Sequence, residues 1–167
     1  MKLKLFSLGA LVLCTSVASN GATNADASSI AVANRFVDAL QHQRYRDAAL
    51  MFVPAEMGDI TATEHTLKRI ADSLGGFSTL HPIEALPDGR SVKLAVTGNQ
   101  NTALKIQKFV QVRYVSTARD GQPVFYELDL TPDGTPPQIL SFGLHFPTTD
   151  TQSSKRANQL VRTINNS

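Results

Sequence analysis

Apolar residues recur at two spacings along this chain, and the change falls at Gly75-Gly76. Before that pair the period is helical. In residues 29–41, Ile30, Ala33, Val37 and Leu40 form a stripe that Phe36 widens, which predicts a first helix. Residues 43–52 predict a second, shorter one, with Tyr45, Ala48, Ala49 and Phe52 on one side and Pro54 as its stop. A third stripe, Leu67, Ile70, Ala71 and Leu74, follows Thr61 and Glu64, which have the spacing of a capping box. Gly75-Gly76 should end that helix, because glycine tolerates the left-handed conformation needed there.

Beyond Gly76 the pattern alternates. Residues 77–86, 91–97, 103–118, 123–131 and 138–146 read as strands. Turn chemistry separates them: PDG at 87–89, TGNQN at 97–101, RDG at 119–121 and PDGTPP at 132–137. Consecutive strands with short turns predict an antiparallel meander. The fold class is therefore α+β, with three N-terminal helices packed on an antiparallel sheet of about five strands.

The hairpin VRYVSTARDGQPVFYELDL can be registered by its own pattern. A two-residue turn at Asp120-Gly121 would mix its apolar and polar faces. A three-residue loop with Gly121 left-handed pairs Ala118 with Gln122. Tyr114 then sits opposite Tyr126, Val112 opposite Leu128, Arg113 opposite Glu127 and Gln111 opposite Asp129. A slip of one residue would turn every side chain over, so the apolar pattern selects this register. Tyr114 and Tyr126 should face the helices, where two hydroxyls among aliphatics are candidates to line a binding pocket. Arg113, Glu127 and Asp129 should face away. A cross-strand charge pair of that kind contributes only about 0.2–1 kcal/mol.

In the last strand, Leu140, Phe142, Leu144 and Phe146 are expected inside, with Ile139, Ser141, Gly143 and His145 outside. Residues 148–167 are a polar tail in which Ala157, Leu160, Val161 and Ile164 suggest a short helix.

The N-terminus alters the charge picture. Lys2 and Lys4 precede a short apolar run and then small residues, the parts of a secretory signal. Residues 1–18 are expected to be removed after Ala18, with cleavage after Ala27 as the alternative. The run is too short to span a bilayer, and no other segment has the length and apolarity to do so. The formal charge of +2 belongs to Lys2 and Lys4, so the processed chain is neutral, which removes the compositional case for nucleic acid. The single cysteine, Cys14, falls within the signal, leaving no disulfide or cysteine ligand. Its preceding residue, Leu13, is large, which argues against lipidation there. The expected location is the periplasm or the medium.

No catalytic or metal-binding signature is present. His42, His65, His81 and His145 lack the i, i+4 or HExxH spacing of a metal site, and there is no GxSxG, phosphate loop or dinucleotide fingerprint. No metal or cofactor is expected.

The order of elements reaches a family. RFVDALQHQRYRDAALMF, then AEMGDITATEHTLKRIADSLGGFSTL with its helix-Gly-Gly-Phe junction, then the strands, resemble the nuclear transport factor 2-like superfamily. The resemblance covers about residues 30–147 and is closest to exported bacterial domains of that group. It implies a cone-shaped roll with its sheet curved around the helices. It also implies that any acid/base pair would lie inside the cone, whereas Asp129 and His145 read as outward. The expected function is therefore an exported binding or accessory domain with an apolar pocket between helices and sheet. Its partner would be a small apolar ligand, another exported protein, or a second copy meeting it through the sheet face. The alternative is a small-molecule hydrolase or isomerase using Asp38, His42 or His81.

Overall fold

The protein is described by a computed structural model, in which residues 22–23, 27–53, 59–97, 109–132 and 137–166 are described. The signal segment with Cys14, Pro54, positions 103–108 of the long strand, and parts of the turns at 97–101 and 132–137 lie outside the described residues. In chain order the elements are β1 (Ala22–Thr23), α1 (Ala27–Gln41), α2 (Tyr45–Ala49), α3 (Ile60–Leu74), β2 (His81–Ile83), β3 (Ser91–Thr97), β4 (Phe109–Thr117), β5 (Pro123–Leu130), β6 (Ile139–Pro147) and α4 (Thr151–Asn166). The class is α+β, with three helices before the main strands and a fourth, α4, in the polar tail.

One sheet carries the order β1-β4-β5-β6-β3, and β2 also pairs with β4. Five strands run antiparallel; the two residues of β1 run parallel to β4. The hairpin has the register that its apolar pattern selects: Tyr114 pairs with Tyr126, Val112 with Leu128, Arg113 with Glu127 and Gln111 with Asp129. The Ala118 N–H donates to the Gln122 carbonyl (2.9 Å), and Gly121 is left-handed (φ 80°). A left-handed residue at that point is what a three-residue loop demands.

The inner sides of β4, β5 and β6 meet the helices in one core. Five aromatic rings form its centre. Tyr126 stacks on Phe142 (centroids 5.3 Å, interplanar 10°), while Phe36 meets Phe142 and Phe52 edge-on. Phe77 closes the group against Tyr126 and Phe142. Leu67, Ile70 and Leu74 of α3 are fully buried, as their spacing predicts.

Five expectations need correction. Ile30 is 44 % exposed, and Val32 takes its place on the buried stripe with Ala33, Phe36, Val37 and Leu40. The second helix stops at Ala49 because the chain is taken by the sheet. Phe52 bridges Ile139 in parallel, with Val53 N–H donating to Ile139 (2.8 Å) and Ile139 N–H donating to Met51 (3.0 Å). The cap of α3 is Asp59, whose carboxylate accepts from Thr61 N–H (2.9 Å). Thr61 thus lies inside the helix, and Glu64 pairs instead with Arg46 of α2 (3.4 Å). The strand expected at 77–86 shrinks to His81–Ile83. Phe77–Leu80 turns so that Phe77 enters the core, and Thr79 Oγ1 accepts from Thr117 N–H (3.0 Å). Finally, a β-bulge separates the pairs Asp129–Ser141 and Leu130–Ile139. The bulge reverses the alternation, so Ile139 is buried and Leu140 only half-buried.

The end of α3 is tied to the end of the sheet through its cap. Gly75 caps α3 in the left-handed conformation (φ 93°), and its N–H donates to Ala71 (2.9 Å). Arg119 in the β4–β5 turn donates its N–H to Leu74 (2.7 Å), using a carbonyl that the helix end leaves free. A Cβ on Gly75 would stand 3.3 Å from Arg119 Cβ, so glycine serves both the turn and the close approach. The tail helix α4 is capped by Asp150, which accepts from Ser153 N–H (2.7 Å), and it buries Ala157, Val161 and Ile164.

Candidate functional site

The inner and outer sides of the sheet differ in chemistry. On the outer side, Glu127 of β5 is the centre of a charged cluster. Lys93 Nζ of β3 donates to Glu127 Oε1 (3.0 Å), and His145 Nε2 of β6 lies 3.2 Å from the same oxygen. Arg113 Nε of β4 stands 4.0 Å from Oε2. Four strands thus contribute one side chain each. Gly143, the register partner of Glu127, makes the arrangement possible: Lys93 lies across it, and a Cβ there would stand 3.0 Å from Lys93 Cε.

The cluster is partly withdrawn from water. The Glu127 and His145 side chains are only 12 % and 14 % exposed. Burial alone would raise the Glu127 pKa. The hydrogen bond with His145, and the charge and hydrogen bond of Lys93, outweigh it and hold the carboxyl at about 2 against its ordinary 4.5. Glu127 is therefore a carboxylate at every ordinary pH. His145 has a second contact: its Nδ1 lies 3.3 Å from the hydroxyl of Ser91, the first residue of β3. One row along, Asp129 accepts from Gln111 (2.9 Å) and Ser141 (2.6 Å).

A groove of about 660 Å³ opens at the adjoining end of the sheet. It is lined by Asp120, Pro123, Pro147, Thr149, Asp150 and Arg156, among others. Arg156 holds the Asp120 carboxylate through two donors, and this hydrogen bonding lowers the Asp120 pKa.

The residues singled out from the sequence fall in three places. Tyr114 and Tyr126 are both buried on the helix side, and neither lines the groove. The Tyr126 hydroxyl is 2.8 Å from the Ser116 hydroxyl, and burial pushes both phenols up to about 12. Asp38 and His42 do come together, with His42 Nδ1 3.0 Å from Asp38 Oδ1, but on the exposed end of α1, where Arg44 also takes Asp38. His81 is exposed and bonds the Thr79 carbonyl (2.9 Å). Among the described residues no hydrogen bond or ion pair joins it to Asp38 or His42. Sequence reasoning placed Glu127, Arg113 and His145 on the outer face but missed Lys93, Ser91 and the role of Gly143. The missing signal is the β3–β6 pairing, which no local turn announces.

Among the described residues, no three His, Cys, Asp or Glu side chains converge as metal ligands, and no helix is long and apolar enough to cross a membrane. No family model, curated protein or solved structure matches the chain.

Proposed function

We propose that the chain is an exported domain of the nuclear transport factor 2-like type that binds another exported protein through the outer face of its sheet. The observation that carries this reading is the convergence of Lys93, Arg113 and His145 on Glu127, on the side of the strands turned away from the aromatic core. A structural ion pair needs two partners. Four charged or polar groups fixed over four strands, beside an open groove, offer a directional surface instead. Complementary charge of this kind sets orientation and partner choice more than raw affinity. The order of helices and antiparallel strands supports the family resemblance, and the apolar run at 5–17 supports export.

The interior pocket is the weaker place for a ligand. Ring centroids 5.2–6.2 Å apart occupy the space between helices and sheet, and Tyr126 spends its hydroxyl on Ser116. The hydrolase or isomerase alternative finds no support at Asp38, His42 or His81, since all three are exposed.

The test compares capture of periplasmic proteins by the wild-type chain and by a Glu127→Lys, Asp129→Lys variant. The reading requires a partner that the wild type retains and the variant loses, with circular dichroism unchanged. Equal capture by both folded proteins would refute it.

A further inference from the structure

Ser91, His145 and Glu127 form a continuous line on the outer face. The Ser91 hydroxyl is 3.3 Å from His145 Nδ1, and His145 Nε2 is 3.2 Å from Glu127 Oε1. The line follows from register. Lys93 pairs with His145, so Ser91 is the diagonal neighbour of His145 on the same face; Phe125 pairs with His145, so Glu127 is the diagonal neighbour on the other side. Such diagonals lie within reach of long side chains. Three strands therefore hold the three groups, and none depends on a loop for its position.

One tautomer satisfies the whole line. A carboxylate only accepts, so the imidazole proton belongs on Nε2, facing Glu127. Nδ1 is then left with its lone pair toward the Ser91 hydroxyl, as a general base must have it. A hydroxyl, an imidazole oriented by a third group, and contacts slightly long in the free protein are the signature of an activated nucleophile. Exposure is graded in the useful sense: Ser91 is open to solvent while His145 and Glu127 are mostly covered. The groove reaches Pro147, the register partner of Ser91, while Ser91 and His145 themselves stand outside its lining.

We infer that Ser91 is a nucleophile activated by His145, and that the domain acylates and deacylates it with small activated carboxylic esters. This goes beyond the binding reading, since it adds a reaction to that face and requires no partner. The Ser91 oxygen adds to the ester carbonyl as His145 Nδ1 takes the hydroxyl proton. The tetrahedral centre expels the alkoxide, which takes that proton from the imidazolium and leaves as the alcohol. Water then adds to the acyl-serine, giving a proton to Nδ1; the C–O bond to Ser91 breaks, Ser91 regains the proton, and the carboxylic acid departs. Ser91 and His145 are the catalytic residues. Glu127 is a positioning residue that fixes the tautomer and favours the imidazolium. Lys93 shares its Oε1 oxygen and supplies the neighbouring cation.

The experiment treats the processed full chain with a fluorophosphonate and locates the adduct by intact mass and peptide mapping. One adduct on Ser91 is expected. Ser91→Ala, an exposed site that the fold does not need, should abolish it. His145→Gln should slow labelling at least about a hundredfold, the lower side of what a general base contributes. The groups facing His145 are Ser91 and Lys93 from β3 and Glu127 from β5, with Arg113 of β4 behind Glu127. Glu127→Gln removes the only anion among them. The maximal labelling rate should then fall while the fluorophosphonate concentration giving half that rate stays unchanged, because the neutral amide no longer fixes the proton on Nε2. A merely structural role for Glu127 would not separate the two. The inference is overturned if the folded wild type gives no Ser91 adduct, or if labelling is indifferent to His145→Gln. Failure of the capture experiment above would leave this result untouched, and the reverse also holds.

Discussion

The two faces of β5 are made by alternate residues of one eight-residue strand, yet they are held together by different physics. Val124, Tyr126, Leu128 and Leu130 face inward and are fully buried. Their contribution is area removed from water, about 25 cal/mol per Å², and it has no preferred direction. Glu127 and Asp129 face outward, the first mostly covered and the second partly so, and each is held by named donors at fixed distances. Such contacts add less stability than their attraction alone would give, because desolvation offsets part of it. They do fix geometry. The inner face therefore makes the fold, and the outer face carries directional chemistry.

The largest effect that can break this division is on the inner side. Leu74 is completely buried in the core. Leu74→Ala should cost about 2–5 kcal/mol in denaturant unfolding. A loss below about 0.5 kcal/mol, the level of a surface change, would mean that the helices do not depend on that face.

Acid comes next and acts on the outer side. The Glu127 pKa is about 2 when folded against 4.5 ordinarily, so its contribution is present above pH 4.5 and is lost as pH falls toward 2. At 1.36 kcal/mol per unit this is on the order of 3 kcal/mol at most. Asp120 and Asp150 are also lowered and titrate in the same direction. The difference between wild type and Glu127→Gln isolates Glu127: the variant should lose less stability between pH 4.5 and 2. Parallel pH curves would show that the cluster does not stabilise the ionised carboxylate.

How far each face was legible from the sequence follows the same split. The inner face was readable because burial imposes a period of two on neighbouring strands, and the Tyr114–Tyr126 register came out of that period together with the Gly121 loop. The outer cluster was half-readable. Arg113 and Glu127 meet within one hairpin, so turn length places them. Lys93 and Ser91 reach Glu127 and His145 through pairing between β3 and β6, whose alignment is set by tertiary packing. Ile139 was misassigned for a related reason: a bulge consumes one residue, and periodicity alone does not show it. Asp59 was missed as the cap because Thr61 and Glu64 offered a more familiar pattern three residues apart.

A smaller effect probes the polar atom inside the apolar face. Tyr126→Phe keeps the stacked ring and removes the hydroxyl bonded to Ser116. One lost hydrogen bond, with Ser116 still buried, should cost about 1 kcal/mol. Thermal unfolding measures it. No loss would show that the hydroxyl is better placed as a site for a ligand than as part of the core, and would return attention to an interior pocket.

The smallest stability effect gives the sharpest separation of the faces. At Gly143, a new Cβ would stand 3.0 Å from Lys93 Cε and 3.7 Å from Glu127 Cβ. The nearer atom belongs to the far end of a flexible chain, so Lys93 can swing away into solvent. Gly143→Ala should therefore leave the backbone in place. The gain from reduced freedom of the unfolded chain, about 0.4–1 kcal/mol, opposes the loss of one ion pair, about 0.2–1 kcal/mol. Stability at neutral pH should change by less than about 0.5 kcal/mol, while the Glu127 carboxyl, followed by its carbon resonance, should titrate at higher pH. His145 remains beside it, so the value should stay below the ordinary 4.5. An unchanged titration would mean that Lys93 does not hold the carboxylate. A stability loss above about 1.5 kcal/mol would mean that Gly143 is required by the packing of the sheet itself, and that the two faces are not separable at this strand.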